Sequence, residues 1–186
     1  MVNTINFCGD SFCADTRQFS WITLLSNKLG ATVLGTGKIG SAHEHAIQTF
    51  DPRSEITIFC WTEPHRLYST ELGIGINMKS SEEFKGTAPI WDAAYNYYKY
   101  LHNNELSVKR QIRDLYWFDR EVLSNYKGKL IHMWSFQKTY SFLHGIDIEY
   151  PLTSLMSRSA NEKHINHLDE KYSHLLADKL YKLIRS

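Results

Sequence analysis

The stretch Glu55-Ile56-Thr57-Ile58-Phe59-Cys60-Trp61 is apolar at nearly every position. A strand with one face in water alternates polar and apolar residues, whereas a strand covered on both faces has no need to. Covering of that kind is the condition of a strand in the middle of a parallel sheet. The run breaks off abruptly into Thr62-Glu63-Pro64-His65-Arg66. In an open α/β sheet this is where ligands bind, beyond the carboxyl ends of the strands.

The remaining segments alternate around that strand. A short apolar run, Ile5-Asn6-Phe7-Cys8, stops at Gly9-Asp10-Ser11, which reads as a strand ending on a tight turn. Phe19, Ile22, Leu25 and Leu29 have helical spacing, and Gly30 closes the helix. Ala31 to Leu34 is a second strand, followed by Gly35-Thr36-Gly37-Lys38-Ile39-Gly40-Ser41 and a helix from about Ser41 toward Phe50. Tyr68 to Pro89 reads as a long irregular excursion. Trp91 to His102 and Glu105 to Tyr126 predict a helical hairpin or one long kinked helix, with Lys109, Arg110, Arg113, Asp114 and Glu121 on a solvated face. Lys129 to Trp134 is a fourth strand, Ile146 to Ile148 a weaker fifth, and Asp169 to Ile184 a terminal amphipathic helix. The expectation is one domain over residues 1–186, a three-layer α/β/α, flavodoxin-like parallel sheet of four to five strands with a helical insertion at about 88–127.

Composition narrows the function. The chain has 186 residues, 42% hydrophobic and 22% charged, with a net charge of +1 and no basic cluster. That balance argues against nucleic acid or an anionic membrane as a partner. No run reaches transmembrane length and no secretory signal opens the chain, so a cytoplasmic location is expected. Cys8, Cys13 and Cys60 are odd in number and lack ligand spacing, and are read as reduced thiols. The aromatics crowded between Trp91 and Trp134 are assigned to core packing. The three glycines of residues 35–40 lack the Gly-Lys-Ser/Thr of a phosphate loop. His43 and His45 have no fixed ligand geometry, so neither a metal nor another cofactor is assigned.

Four polar clusters, Asp10-Ser11, Gly37 to Ser41, Thr62 to Arg66 and His164 to His167, fall at strand ends or ahead of the last helix, and a parallel sheet brings such points to one edge. A serine at a helix N-terminus sits near N–H groups able to hold an oxyanion, and histidine is the usual base that makes it a nucleophile. His167 is placed to reach back to Ser11. Each residue also has a plainer reading. Asp10 and Ser11 are good helix caps, His167 can start a helix capped by Asn166, Gly40 can be a loop glycine with positive φ, Thr62 can end the strand, and Arg66 can pair with Glu63.

The arrangement resembles the SGNH hydrolases, the GDSL-like lipases and esterases, over nearly the whole chain. Gly9-Asp10-Ser11 matches the family block that holds the nucleophile, and Gly40 within Gly37-Lys38-Ile39-Gly40-Ser41 best matches the oxyanion glycine. His167-Leu168-Asp169-Glu170 matches the last block, with His167 as base. Two departures stand out. Thr62 occupies the place of the family asparagine, in a Trp61-Thr62 block followed by Arg66 that is similar to divergent, often phage-encoded members, which would be made in the host cytoplasm. His164 occupies the place of the aspartate that orients the base, leaving Glu162, Asp169 or a carbonyl for that task. The resemblance implies a serine esterase without cofactor, acting on a small-molecule or glycan ester such as a carbohydrate O-acetyl group. Its sites would be Ser11, His167 and His164 for catalysis, and Gly40, Thr62, Arg66 and Asp10 for the oxyanion and substrate. The departures also admit a decayed catalyst whose fold serves binding or structure.

Overall fold

A computed structural model describes residues 2–155 and 168–186. Five parallel strands, β1 (Thr4–Gly9), β2 (Thr32–Gly35), β3 (Ile56–Trp61), β6 (Lys129–Trp134) and β7 (Ile146–Asp147), form one sheet in the order β2-β1-β3-β6-β7. This is the doubly wound flavodoxin order, with the chain reversing direction across the sheet at β1/β3. β3 lies in the middle, paired with β1 from Ile5↔Ile56 to Gly9↔Cys60 and with β6 from Ile56↔Lys129 to Trp61↔Trp134. Every residue of β3 is buried, which is why its sequence carries no alternation.

The side chains of β1, β3 and β6 point alternately to two cores. Ile5, Phe7, Ile58, Cys60, Ile131 and Met133 face one layer, built by α1 (Trp21–Leu29) and α6 (Glu170–Arg185). Phe59, Trp61, Leu130 and Trp134 face the other, covered by α2 (His43–Gln48), α5 (Asn104–Trp117) and the wide turn over Phe118–Val122 that continues α5. The helices of the first layer begin and end for local reasons. Ser20 caps α1 by accepting from the Thr23 N–H, Gly30 closes it at φ 66°, and Asp169 caps α6 by accepting from the Tyr172 N–H.

Three expectations are corrected. The segment after Tyr68 is ordered: β4 (Leu67–Ser69) and β5 (Ile74–Ile76) form a separate antiparallel hairpin, and α3 (Met78–Glu83) follows. Three-residue strands are too short to show a period, and the α3 cap pairs Asn77 with Ser80 instead of the Glu or Gln that marks a capping box in sequence. The second helix starts at His43, because the Ser41 hydroxyl donates to the Gly9 carbonyl instead of capping. The charged face after Glu105 is only partly solvated. α4 (Pro89–Tyr100) and α5 are separate helices, and α5 buries Ser107, Gln111 and Leu115 as one stripe. Two of those three are polar, so the inward face escaped a hydrophobic period.

The aromatic residues divide. Trp61, Trp134 and Phe118 are core, whereas Tyr100, Tyr116 and Trp117 are more than half exposed. Phe59 and His132 stack at 5.3 Å, and His132 and Phe142 at 3.6 Å. Burial holds the His132 imidazole down at about 4, so it is neutral and serves as an acceptor for the Trp61 indole N–H. All three cysteines are buried and free, as expected.

Asp119 is fully enclosed and ties this core to the following loop. Its carboxylate accepts from the Tyr140 hydroxyl at 3.0 Å, the Leu143 N–H at 2.9 Å and the His144 N–H at 3.2 Å, and lies 2.9 Å from His144 Nδ1. Burial raises its pKa, yet these donors together outweigh burial and leave the carboxyl below its ordinary value. A lowered carboxylate pKa contributes stability above the unfolded value of about 3.9 and loses it as pH falls through the folded value. Asp119→Asn is therefore expected to lose about 2–3 kcal/mol at neutral pH, with the difference narrowing below about pH 4. Urea melts of both proteins across that range check the magnitude and the sign.

Candidate active site

β1, β3 and β6 end side by side, and the polar residues that follow them meet there. Asp10, the residue after β1, is 1% exposed. Its Oδ1 accepts from the Phe12 N–H at 3.0 Å, capping the single turn Ser11–Cys13, and from the Ser135 hydroxyl at 2.8 Å. Ser135 follows β6 and is itself fully buried. β1 and β6 are thus joined at their carboxyl ends by one hydrogen bond between residues 125 positions apart.

Burial raises the Asp10 pKa, and the Phe12 N–H, the Ser135 hydroxyl, the Arg66 charge and the Thr62 hydroxyl act against it. Thr62 is 2% exposed, and neither its hydroxyl nor Asp10 Oδ2 makes a hydrogen bond of good geometry. Arg66 is almost buried. Its Nη1 donates to the Ser41 carbonyl at 3.1 Å, its Nε donates to Glu63 at 3.0 Å, and its guanidinium lies 5.9 Å from the centre of the Phe136 ring. The pairing with Glu63 read from the sequence is present, and the same arginine also reaches the second cluster.

The loop after β2 is tied to this edge by backbone contacts. The Gly37 N–H donates to the Cys13 carbonyl at 2.8 Å and the Lys38 N–H to the Gly9 carbonyl at 3.0 Å. A Cβ on Gly37 would collide with the Asp10 carbonyl and Cys13 Sγ, and one on Gly9, at φ 152°, with the Cys60 carbonyl. Glycine is required at both places for close backbone approach. Gly40 adopts φ 72° in a turn held by the Gly75 N–H donating to its carbonyl at 2.7 Å. Ser11 itself is half-buried, and no hydrogen bond engages its hydroxyl among the described residues.

Of the residues singled out in sequence, Asp10, Ser11, Thr62 and Arg66 come to one edge with the loop that carries Gly40. His164 and His167 lie outside the described residues. Three contributors were missed. Ser135 gave the same signal as the others, a polar residue directly after an apolar strand. Gln111 and Arg110 gave none, because both sit inside a helix. Gln111 Nε2 donates to the Thr62 carbonyl at 2.9 Å and its Oε1 accepts from Thr139 at 2.6 Å, while Arg110 Nη2 donates to the Arg66 carbonyl at 3.0 Å. α5 therefore holds the segment after β3 in place.

The edge can hold a serine hydroxyl at a turn capped by Asp10, close to a buried carboxyl and a buried guanidinium. No cluster of metal ligands lies at this edge among the described residues, and no helix among them is long and apolar enough to cross a membrane.

No protein-family model matches the sequence, and no curated protein matches it. Solved structures that share its fold include two esterases. One is a family two carbohydrate esterase from Clostridium thermocellum in complex with cellohexaose, with a TM-score of 0.53, 12% identity, and coverage of 98% of this chain and 63% of that one. The other is an acetyl xylan esterase from the rumen bacterium Butyrivibrio proteoclasticus, with a TM-score of 0.51, 11% identity and the same coverages. This chain spans just under two thirds of the length of each, and at these identities the likeness is one of fold.

Proposed function

We propose that the protein is an SGNH-type serine esterase, with Ser11 as nucleophile and His167 as base, acting on an acyl ester of a carbohydrate such as an O-acetyl group. The observation that carries this reading is the convergence of Ser11, the Gly37–Ser41 loop, Thr62 and Arg66 on one sheet edge, with the Ser11 hydroxyl uncommitted among the described residues. The carbohydrate comes from the two fold neighbours, a carbohydrate esterase in complex with cellohexaose and an acetyl xylan esterase.

In this mechanism Ser11 Oγ attacks the acyl carbon while His167 takes its proton. The carbonyl oxygen becomes an oxyanion held by the N–H groups of Ser11 and Gly40, with Thr62 as a further donor. The intermediate collapses, His167 returns the proton to the leaving sugar hydroxyl, and an acyl-serine remains. Water activated by His167 then releases the acid and restores the serine. His164 stands beside the base in sequence. Asp10 shapes the turn that presents Ser11, and Arg66 supplies positive charge facing the developing anion.

Ser11→Ala is expected to lose at least ~10³-fold in hydrolysis of p-nitrophenyl acetate and of acetylated xylan, and to lose labelling by a fluorophosphonate, with an unchanged circular dichroism spectrum. Equal behaviour of wild type and variant in both assays would leave only a binding or structural role for the fold. A second expectation concerns Asp10. Because its folded pKa is raised, the wild type loses stability as pH rises from about 3.9 through the folded value, and a neutral side chain there would not. Asp10→Asn keeps the acceptor for Phe12 and adds a donor toward the buried Thr62 hydroxyl. Its melting temperature should exceed that of wild type at neutral pH, by on the order of 1 kcal/mol in stability, and the gain should vanish below about pH 4.

A further inference from the structure

Away from the serine edge, α2 and α5 face each other across a cavity of about 490 Å³ lined by Glu44, Ile47, Gln48, Arg113, Asp114 and Trp117. Behind that lining His43, 1% exposed, stands between the carboxylates of two lining residues, Glu44 and Asp114. Its Nε2 is 3.2 Å from Asp114 Oδ2, and its Nδ1 is 3.3 Å from Glu44 Oε2. His43 Nδ1 and Glu44 Oε2 are both enclosed and both lack a hydrogen-bond partner among the described residues.

A neutral imidazole has one N–H and one lone pair. Whichever nitrogen carries the proton, the other directs its lone pair toward a carboxylate oxygen, an arrangement that burial makes costly. A cation relieves it, either a second proton on the ring or a metal ion. The 3.2 Å from His43 Nε2 to Asp114 Oδ2 matches the distance between neighbouring ligands of a tetrahedral ion with bonds of about 2.0–2.1 Å, while Glu44 faces the other ring nitrogen and would swing round to reach the same ion. One ligand atom from each of His43, Glu44 and Asp114 lies within 4.8 Å of the others. The two carboxylates are a quarter exposed, so they can rotate to close the widest gap. Arg113 donates to the other Asp114 oxygen from Nε at 3.1 Å and Nη2 at 2.9 Å, orienting it as an outer partner orients a ligand carboxylate.

We propose that His43, Glu44 and Asp114 bind one divalent transition-metal ion, with water from the cavity completing its coordination. A donor set of one imidazole and two carboxylates suits zinc or its first-row neighbours more than magnesium or calcium, which prefer oxygen alone. The ion would join α2, which follows the Gly37–Ser41 loop, to α5, which holds the segment after β3 through Gln111. Its role is to brace the elements beneath the serine edge, and it does not depend on the esterase reading. The sequence concealed the site because Asp114 is 71 positions from His43.

The test is titration of chelator-treated protein with Zn²⁺ by calorimetry, with Co²⁺ as a spectroscopic probe. Expected are one Zn²⁺ per chain, a rise in melting temperature and visible cobalt absorption from low-symmetry nitrogen and oxygen ligation. Glu44→Gln and Asp114→Asn should each weaken binding by more than about tenfold, since loss even of an outer partner costs that much, while Asp178→Asn on the far surface should not. The proposal is overturned by any of three results: no saturable binding and no cobalt absorption in wild type, binding that both variants retain, or melting that responds to pH but is the same with zinc and with chelator.

Discussion

The feature on which the rest depends is the in-register ladder of β1, β3 and β6. Gly9 pairs with Cys60 and Cys60 with Met133, so three chain segments far apart in sequence end at nearly the same height. Parallel pairing makes this unavoidable, because every strand delivers its carboxyl end to the same side. A serine, a threonine and another serine placed just after these strands become neighbours without any local sequence relation.

What turns that coincidence of height into a defined site is a small set of buried polar contacts. Ser135 donates to Asp10 across the sheet, Gln111 holds the Thr62 carbonyl from the helical layer, and Arg66 bridges to the Ser41 carbonyl. A buried polar group left without a partner costs stability, and a satisfied network is correspondingly rigid. The glycines at 9 and 37 serve the same end by letting backbones meet where a methyl group would not fit. Asp10 pays for its place: burial keeps its carboxyl from ionising easily, and the donors around it offset that only in part.

The two sides of the sheet differ in how they are closed. The α1 and α6 layer is held by apolar packing under well-capped helices. The α2 and α5 layer combines stacked aromatic rings with buried Asp119, Gln111 and His43. This second layer carries both the contacts that hold the β3 end and the cavity with its histidine and two carboxylates, so polar structure there sits close beneath the edge where the serine lies.

The sequence by itself determined the parallel α/β class, the strands at Ile56–Trp61 and Lys129–Trp134, the helix ending at Gly30 and the terminal helix, because burial on both faces, a 3.6-residue period and terminal glycines act locally. It also marked Asp10, Ser11, Thr62 and Arg66, since polar residues that break off apolar strands stand out in one dimension. It concealed the Leu67–Ile76 hairpin, whose strands are shorter than any period, and it misread α5, whose buried face is polar. Only the tertiary structure decided that Ser135 holds Asp10, that Gln111 holds Thr62 and that Asp114 meets His43. The reason is physical: those contacts are set by strand register and helix packing between residues 49 to 125 positions apart, and neither leaves a trace in local order.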